Sequence, residues 1–303
     1  MEHDVLVVGE SLVDIVRGSD GSTVEYAGGS AANVAVALAR LGRSVRFATS
    51  YADDPHGRLI VDHLTAAGVV LAVDPAAVAR TSTALATIGP DGAARYEFDL
   101  EWRLNPIADA APPLVVHTCS LGAVLLPGAD DVLALLERLR PHATISYDIN
   151  ARPAITGTGP DLVARVERMV SVADLVKASD EDLEALYPGQ DPVSSARDLL
   201  ARGPAAVVVT RGGEGATWVG HHGEIEIASL PVDVADTIGA GDTFGAALVD
   251  ALWERGRLGG ALREALRDLA AEEVADVLAH AARAAAVTVS RPGADPPFRH
   301  ELG

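Results

Sequence analysis

Cysteine and lysine are almost missing from this sequence, and basic side chains of any kind are scarce. Cys119 is the single cysteine among 303 residues, so no internal disulfide framework can form; the chain suits a reducing compartment, with Cys119 as buried filler. Lys177 is the only lysine, at the end of the apolar segment Asp174-Leu175-Val176-Lys177. A composition bias that also enriches alanine accounts for Arg elsewhere, and leaves open whether something Arg cannot do holds this one position. Lysine and arginine total 24 against 43 aspartates and glutamates, giving a net charge of -19 and a pI near 4.7. Such a surface repels nucleic acid and anionic membranes, so neither is expected as a partner. A phosphate-bearing ligand must find local positive potential. No apolar run approaches the roughly 20 residues of a membrane span, and Met1-Glu2-His3-Asp4 leads into Val5-Leu6-Val7-Val8 with no basic leader. A soluble, cytoplasmic protein is expected. A P-loop pattern, a zinc-spaced His/Cys cluster, an internal repeat and a low-complexity tract are all missing too.

What is present is ordinary globular composition, 49% hydrophobic and 22% charged, in a chain long enough for a large core. Short apolar runs at residues 5–8, 45–48, 115–117, 144–147, 175–177 and 206–210 read as buried strands. Helical periodicity at 31–41, 58–67, 131–140, 161–170, 193–201 and 244–253 falls between them, and a final Ala-rich helix covers 271–286. This rhythm predicts an α/β fold with a mostly parallel sheet covered on both faces, where ligands bind beyond the carboxyl ends of the strands. Two ribbon-like segments interrupt it, at about residues 12–27 and 81–103, with Gly-Ser-Asp-Gly in the first and Gly-Pro-Asp-Gly in the second. Together they are expected to form a small β-lid. Tyr96 and Phe98 share one face of the second ribbon, and packing against the core is the simpler expectation for them than stacking on a ligand. Loops are short, and the whole of 1–303 reads as one domain.

The most informative stretch is Asp236-Thr237-Ile238-Gly239-Ala240-Gly241-Asp242-Thr243. It leads into an amphipathic helix marked by Phe244, Ala247, Leu248, Ala251 and Leu252. The first turn of such a helix has unpaired N–H groups and the positive end of the peptide dipoles, and Gly239, Ala240 and Gly241 let an anion come close. Asp242 would crowd a bound phosphate unless it had a task, such as taking the proton from an attacking hydroxyl. That arrangement describes a small-molecule kinase. An ordinary helix start also favours Asp, and taken alone the turn fits both readings. A dinucleotide fingerprint fits less well, since the third glycine, Gly245, comes one place late.

Other constellations are weaker singly. Gly9-Glu10-Ser11 ends the first strand, Asp14 follows, and Gly28-Gly29-Ser30 precedes a helix carrying Asn33. Glycines beside polar side chains suit a polyhydroxylated ligand, though Gly-Gly-Ser is also a plain helix cap. Asp148-Ile149-Asn150-Ala151-Arg152 leaves a strand end, with Arg152 able to reach an anion or to make a surface ion pair. Thr210-Arg211-Gly212-Gly213-Glu214-Gly215 makes a second glycine-rich turn, and His221 and His222 mark an exposed one.

Asp236 to Asp242 resembles the C-terminal signature of the ribokinase-like, PfkB-type carbohydrate kinases, and Gly28-Gly29-Ser30-Ala31-Ala32-Asn33 with Leu41-Gly42 resembles the N-terminal one. The resemblance spans essentially the whole chain. It implies a three-layer α-β-α sandwich and ATP-dependent, Mg²⁺-assisted phosphorylation of a primary hydroxymethyl. Asp242 would be the base, with the amides of Gly239, Ala240 and Gly241 as the anion hole. Asp14, Gly28, Gly29, Asn33 and Arg152 would bind sugar. Lys177, Ser179, Thr210, Gly212, Gly215 and His280 would meet ATP. Asp182, with Ser179, falls where the family often has an Asn-x-x-Glu element organising magnesium-bound water, and both positions differ here. Asp236, Thr288 and Gly293 match a monovalent-cation loop for K⁺. A homodimer through the lid also follows. Ala52 stands where the family usually has Gly, a mild change if its φ is negative. The Asp-x-Asn-x-Arg and Val-Lys-x-Ser segments and the Tyr96-to-Trp102 ribbon look most like fructokinases and 2-keto-3-deoxygluconate kinases. A nucleoside kinase and a non-catalytic sugar or nucleotide sensor are the alternatives.

Overall fold

The computed structural model describes residues 4–89, 94–107 and 111–303. The chain opens with β1 (Val5–Val8), the hairpin β2 (Leu12–Arg17) and β3 (Thr23–Gly28), and α1 (Ser30–Arg40). Next come β4 (Val45–Ala48), α2 (Pro55–Ala66), β5 (Val70–Leu71) and a second hairpin, β6 (Thr83–Ile88) and β7 (Ala94–Asp99). The middle holds β8 (Val115–Cys119), α3 (Ser120–Val124), α4 (Gly128–Leu139), β9 (Thr144–Asp148), α5 (Pro153–Thr156) and α6 (Pro160–Val172). After these follow β10 (Leu175–Ser179), α7 (Asp180–Leu186), α8 (Pro192–Leu200), β11 (Ala206–Thr210), β12 (Ala216–Gly220) and β13 (Gly223–Ile227). The helices α9 (Ala240–Glu254), α10 (Arg263–Arg267) and α11 (Ala271–Val289) complete the order.

The central sheet has nine strands in the order β13-β12-β11-β10-β9-β8-β1-β4-β5. It is parallel from β11 to β5, and β12 and β13 extend it antiparallel. Successive side chains alternate between faces: Val5 and Val7 enter a core with α1, α9 and α11, while Leu6 and Val8 enter a second core with α4, α6 and α8. Burial on both faces explains why these strands read as unbroken apolar runs. Leu248 and Leu252 of α9 are fully buried, each contributing about 1.5–3 kcal/mol. Helix α9 begins at Ala240, so Gly241 and Asp242 lie inside its first turn, and α11 continues past the expected Ala286 to Val289.

The two inserted hairpins join through parallel pairing of β2 with β6, giving a separate four-stranded sheet in the order β3-β2-β6-β7. Residues 90–92 of the Gly-Pro-Asp-Gly turn lie outside the described residues. One face of this sheet rests on α2, with Ile15 and Ala27 packed against the core. The register puts Asp14, Val16, Val24, Tyr26, Ala84, Ala86, Tyr96 and Phe98 on the other face. Tyr96 and Phe98 do not pack against the core. Their rings stack on each other at 6.2 Å and are 63% and 38% exposed, because the core side of the sheet is already occupied. Trp102, just beyond the lid, is buried and donates from Nε1 to the Gly122 carbonyl at 3.0 Å. Ala52 is not among the positive-φ residues, which makes Ala tolerable there.

Candidate active site

The tip of α9 is the centre of the site. Gly239 adopts φ 73°, and a Cβ there would lie 2.6 Å from the Ala294 Cβ, so both conformation and space require glycine. Among the described residues, the acceptors meeting the first-turn amides are Thr237 O for Ala240 N–H at 3.3 Å and Gly239 O for Thr243 N–H at 2.8 Å. The N–H groups of Gly241 and Asp242 face no acceptor among those residues, and the tip is half-buried rather than sealed. Two open amides at the positive end of a helix form an anion site.

The Asp242 carboxylate does not cap its own helix. It turns to α1, where Oδ1 accepts from Ser30 Oγ at 2.6 Å and Oδ2 accepts from Asn33 Nδ2 at 2.8 Å. Asn150 Nδ2, from the loop after β9, donates to Ser30 Oγ at 2.8 Å and lies 3.3 Å from Asp242 Oδ1. Asp242 is therefore aimed by three neutral side chains, and helix capping does not account for its orientation. Cys119 is buried, and its Sγ lies 3.1 Å from Ser30 Oγ.

Beside this cluster stand two further carboxylates. Glu10, leaving β1, accepts from Gly122 N–H at 2.6 Å and from Ser30 N–H at 3.3 Å, and so serves the starts of α3 and α1. Burial pushes it up to about 7, against the pull of its backbone donors and of Arg152. Burial likewise raises Asp14 to about 6, with Arg152 opposing. The Arg152 guanidinium is itself exposed and bonds Asn150 Oδ1 at 2.6 Å and Ala151 O at 2.9 Å. Gly28 and Gly29 are needed by the protein's own packing. A Cβ on Gly28 would sit 2.3 Å from Asp14 Oδ2, and Gly29 has φ 99° with its Cβ position 2.9 Å from Glu10 O.

On the opposite side of the α9 tip, Lys177 and Ser179 end β10, in register with the end of β11 at Thr210. Gly212 and Gly215 follow with φ 46° and 109°, the Gly215 Cβ position being only 2.0 Å from Ile227 O. Lys177 Nζ is buried, donates to Asp148 Oδ2 at 2.9 Å, and lies 2.9 Å from where a Cβ on Gly241 would be. Burial alone would lower Lys177, but the carboxylates of Asp148, Asp182 and Asp242 outweigh it and raise it. A compact ammonium fits beneath a glycine where a planar guanidinium would not. Asp148 is pushed up to about 7 by burial, against Lys177, and its Oδ1 is buried with no hydrogen-bond partner among the described residues.

Two expected residues are not free for the roles the resemblance implies. His280 lies deep in α11, where its Nε2 is 2.9 Å from Asp250 Oδ2, in a cluster completed by Arg43 and Arg299. Seven residues of α9, about 10 Å of helix, separate Asp250 from Thr243, whose hydroxyl meets Thr288. His280 is therefore a structural partner of Asp250. Asp182 does not fit a magnesium-water site: Oδ1 accepts from Ala151 N–H and Oδ2 from Ser179 N–H, each at 2.7 Å, while Ser179 Oγ accepts from Asp182 N–H. That is a capping box at the start of α7. By contrast, Asp236 does join the α9 lead to the C-terminal turn, accepting from Gly293 N–H at 2.9 Å and Ile238 N–H at 3.0 Å. Its own N–H and that of Ala235 donate to Val289 O, next to Thr288.

The site residues that the expected set omitted are Ser30, Asn150, Glu10 and Asp148. Asp148 had a usable signal, since it stands at the outgoing end of β9, beside the strand that carries Lys177.

The model of the pfkB family carbohydrate kinases matches residues 2–301. The chain is 33% identical over 261 residues to a fructokinase of Rhizobium leguminosarum bv. trifolii, covering 82% of this chain and 79% of that protein. It aligns with a crystal structure of fructokinase with bound ATP from Xylella fastidiosa at TM-score 0.87 and 26% identity, covering 100% and 97% of the two chains. A Vibrio cholerae fructokinase double mutant, in a form with fructose, ADP and potassium ion bound, aligns at TM-score 0.76 and 26% identity, covering 97% and 94%. With its parallel sheet, its α9 tip and a family match running almost from end to end, the chain belongs to the pfkB family and is a sugar kinase.

Proposed function

We propose that this kinase transfers the γ-phosphoryl group of ATP to a primary hydroxymethyl of a fructose-like monosaccharide. The observation that carries the reading is the Asp242 carboxylate, held by Ser30 and Asn33 beside the open amides of the α9 tip. Asp242 accepts the hydroxyl proton as the oxygen attacks phosphorus, and the Gly241 and Asp242 amides take up charge that spreads over the phosphoryl oxygens. Asp14, Asn33 and Arg152 face the sugar, while Lys177, Ser179, Thr210, Gly212 and Gly215 face the nucleotide. Magnesium enters with the ATP phosphates, as part of the substrate. Asp236, with the carbonyls near Thr288 and Gly293, is a fitting anchor for a K⁺ ion, in line with the potassium ion bound in the Vibrio cholerae fructokinase.

Arg152 is already opposed by two carboxylates, Glu10 and Asp14, which favours a neutral sugar. A 2-keto-3-deoxy sugar acid is the second reading, supported by the exposed guanidinium of Arg152. The open apolar face of the lid, carrying Val24, Tyr26, Tyr96 and Phe98, suits pairing with a second copy. A panel of fructose, other hexoses, sugar acids and nucleosides, assayed with ATP and Mg²⁺, tests the reading. Fructose is expected to give the highest kcat/KM. Turnover of sugar acids or nucleosides alone would overturn the substrate, and ligand-induced thermal stabilisation without any turnover would favour a sensor.

A further inference from the structure

Asn150 is one of two non-glycine residues with positive φ among the described residues, at 38°. Asn tolerates this region better than most side chains, and strained backbone is kept only where its surroundings hold it. The surroundings here are specific. Strand pairing between β9 and β10 carries on past the strand end, through Ile149 N–H to Lys177 O at 2.9 Å. Two residues further on, the ladder would offer Ser179, but that residue is the N-cap of α7, and the Ala151 N–H is taken by the Asp182 side chain instead. The other Asp182 oxygen is fixed by the Ser179 amide. A carboxylate thus replaces the missing strand partner and grips the peptide that follows Asn150. That grip swings the Asn150 amide across to Ser30 and Asp242.

Resting on the reading of Asp242 as the base, we propose that Asp182 and Asn150 form a strap that positions Asp242 for proton removal, with Asp182 acting through the backbone of the 150–151 turn rather than at a metal. Both are positioning residues. The titratable groups that sense Asp242 are Glu10, Cys119, Asp148 and Lys177; Asn150→Gly leaves all four in place, whereas Asp182→Ala also withdraws a carboxylate that acts on Asp148 and Lys177.

Asn150→Gly keeps the backbone conformation accessible and removes the side-chain amide, both its bonds to Ser30 and Asp242 and the one it accepts from Arg152. The expected result is a fall in kcat of about 10- to 30-fold with KM for Mg·ATP within about twofold. Asp182→Ala frees Ala151 and reproduces the fall in kcat with KM for Mg·ATP kept, and the double variant is no worse than either single one. Asp182→Asn, which keeps one acceptor, restores part of the rate. Titration of Mg²⁺ gives the same half-saturation in every variant. The strap is refuted if Asp182→Ala shifts the Mg²⁺ dependence and leaves kcat at saturating Mg²⁺ in place, or if the two defects multiply. If Asp182→Ala does not fold, Asn150→Gly decides alone, and a wild-type rate refutes the strap. Asp242→Asn measured alongside separates the claims: turnover retained there removes the base itself, whereas an inactive Asp242→Asn beside a fully active Asn150→Gly removes only the strap.

Discussion

Replacing Gly241 by alanine probes the α9 tip with a single methyl group. The backbone there is not at positive φ, so a Cβ introduces no conformational strain, and Ala is favoured over Gly in a helix by about 1 kcal/mol. Against that gain, the Cβ would stand 2.9 Å from Lys177 Nζ, closer than ordinary packing by about 0.5 Å or more. The ammonium is the end of a flexible side chain and can move, but moving weakens its 2.9 Å bond to the buried Asp148. An overpacking cost of about 1–3 kcal/mol leaves net destabilisation at no more than about 2 kcal/mol. The effect on turnover is larger. The methyl occupies the approach to the Gly241 and Asp242 amides, and losing such a donor set lowers kcat by about 10²–10³. Gly245, four residues on, is the control: its Cβ position is 3.9 Å from Asp148 Oδ2, an ordinary contact. Thermal unfolding and steady-state kinetics of both variants are required. Gly245→Ala is expected to be at least as stable as the parent and fully active. Gly241→Ala within about threefold of the parental kcat would refute the anion-site reasoning.

Much of the fold was legible because burial on both sheet faces gives unbroken apolar runs. All six anticipated strands start where expected, with β8, β9 and β10 running one or two residues further. The hairpin β12–β13 was missed between glycines, although the alternation Glu224-Ile225-Glu226-Ile227 carries the strand period. The α9 tip was legible from glycine spacing and one carboxylate. The Ser179/Asp182 pair has the spacing of a capping box, and its local role prevailed over the metal role implied by family position. The grip on Ala151 could not be seen in advance, since it joins residues 31 apart through one backbone amide. The setting of His280 was hidden for a similar reason: its partner Asp250, and the Arg43 and Arg299 that also bind Asp250, come from three distant segments.

Two further outcomes are expected. Glu10 titrates near 7 in the folded chain against 4.5 for an ordinary glutamate, so the folded state holds the extra proton between those values and stability falls as pH rises through that window. Glu10→Gln removes this loss. Relative to the parent it should gain about 3 kcal/mol between pH 4.5 and pH 8 in denaturant titrations, whereas a pH-independent difference would contradict the burial argument. His280→Ala loses the bond to Asp250 and should cost about 1–2 kcal/mol of stability. Its KM for ATP is expected to stay within about twofold, and a tenfold rise would return His280 to the nucleotide.

The central claim is that one carboxylate and the open amides beside it serve the two halves of a single transfer step. Turnover of Asp242→Asn with the best sugar tests it most directly, with Mg·ATP binding followed by thermal stabilisation. A fall in kcat of about 10²–10⁴ with unchanged nucleotide binding is the predicted result. Near-parental turnover by a folded, nucleotide-binding Asp242→Asn protein would contradict it.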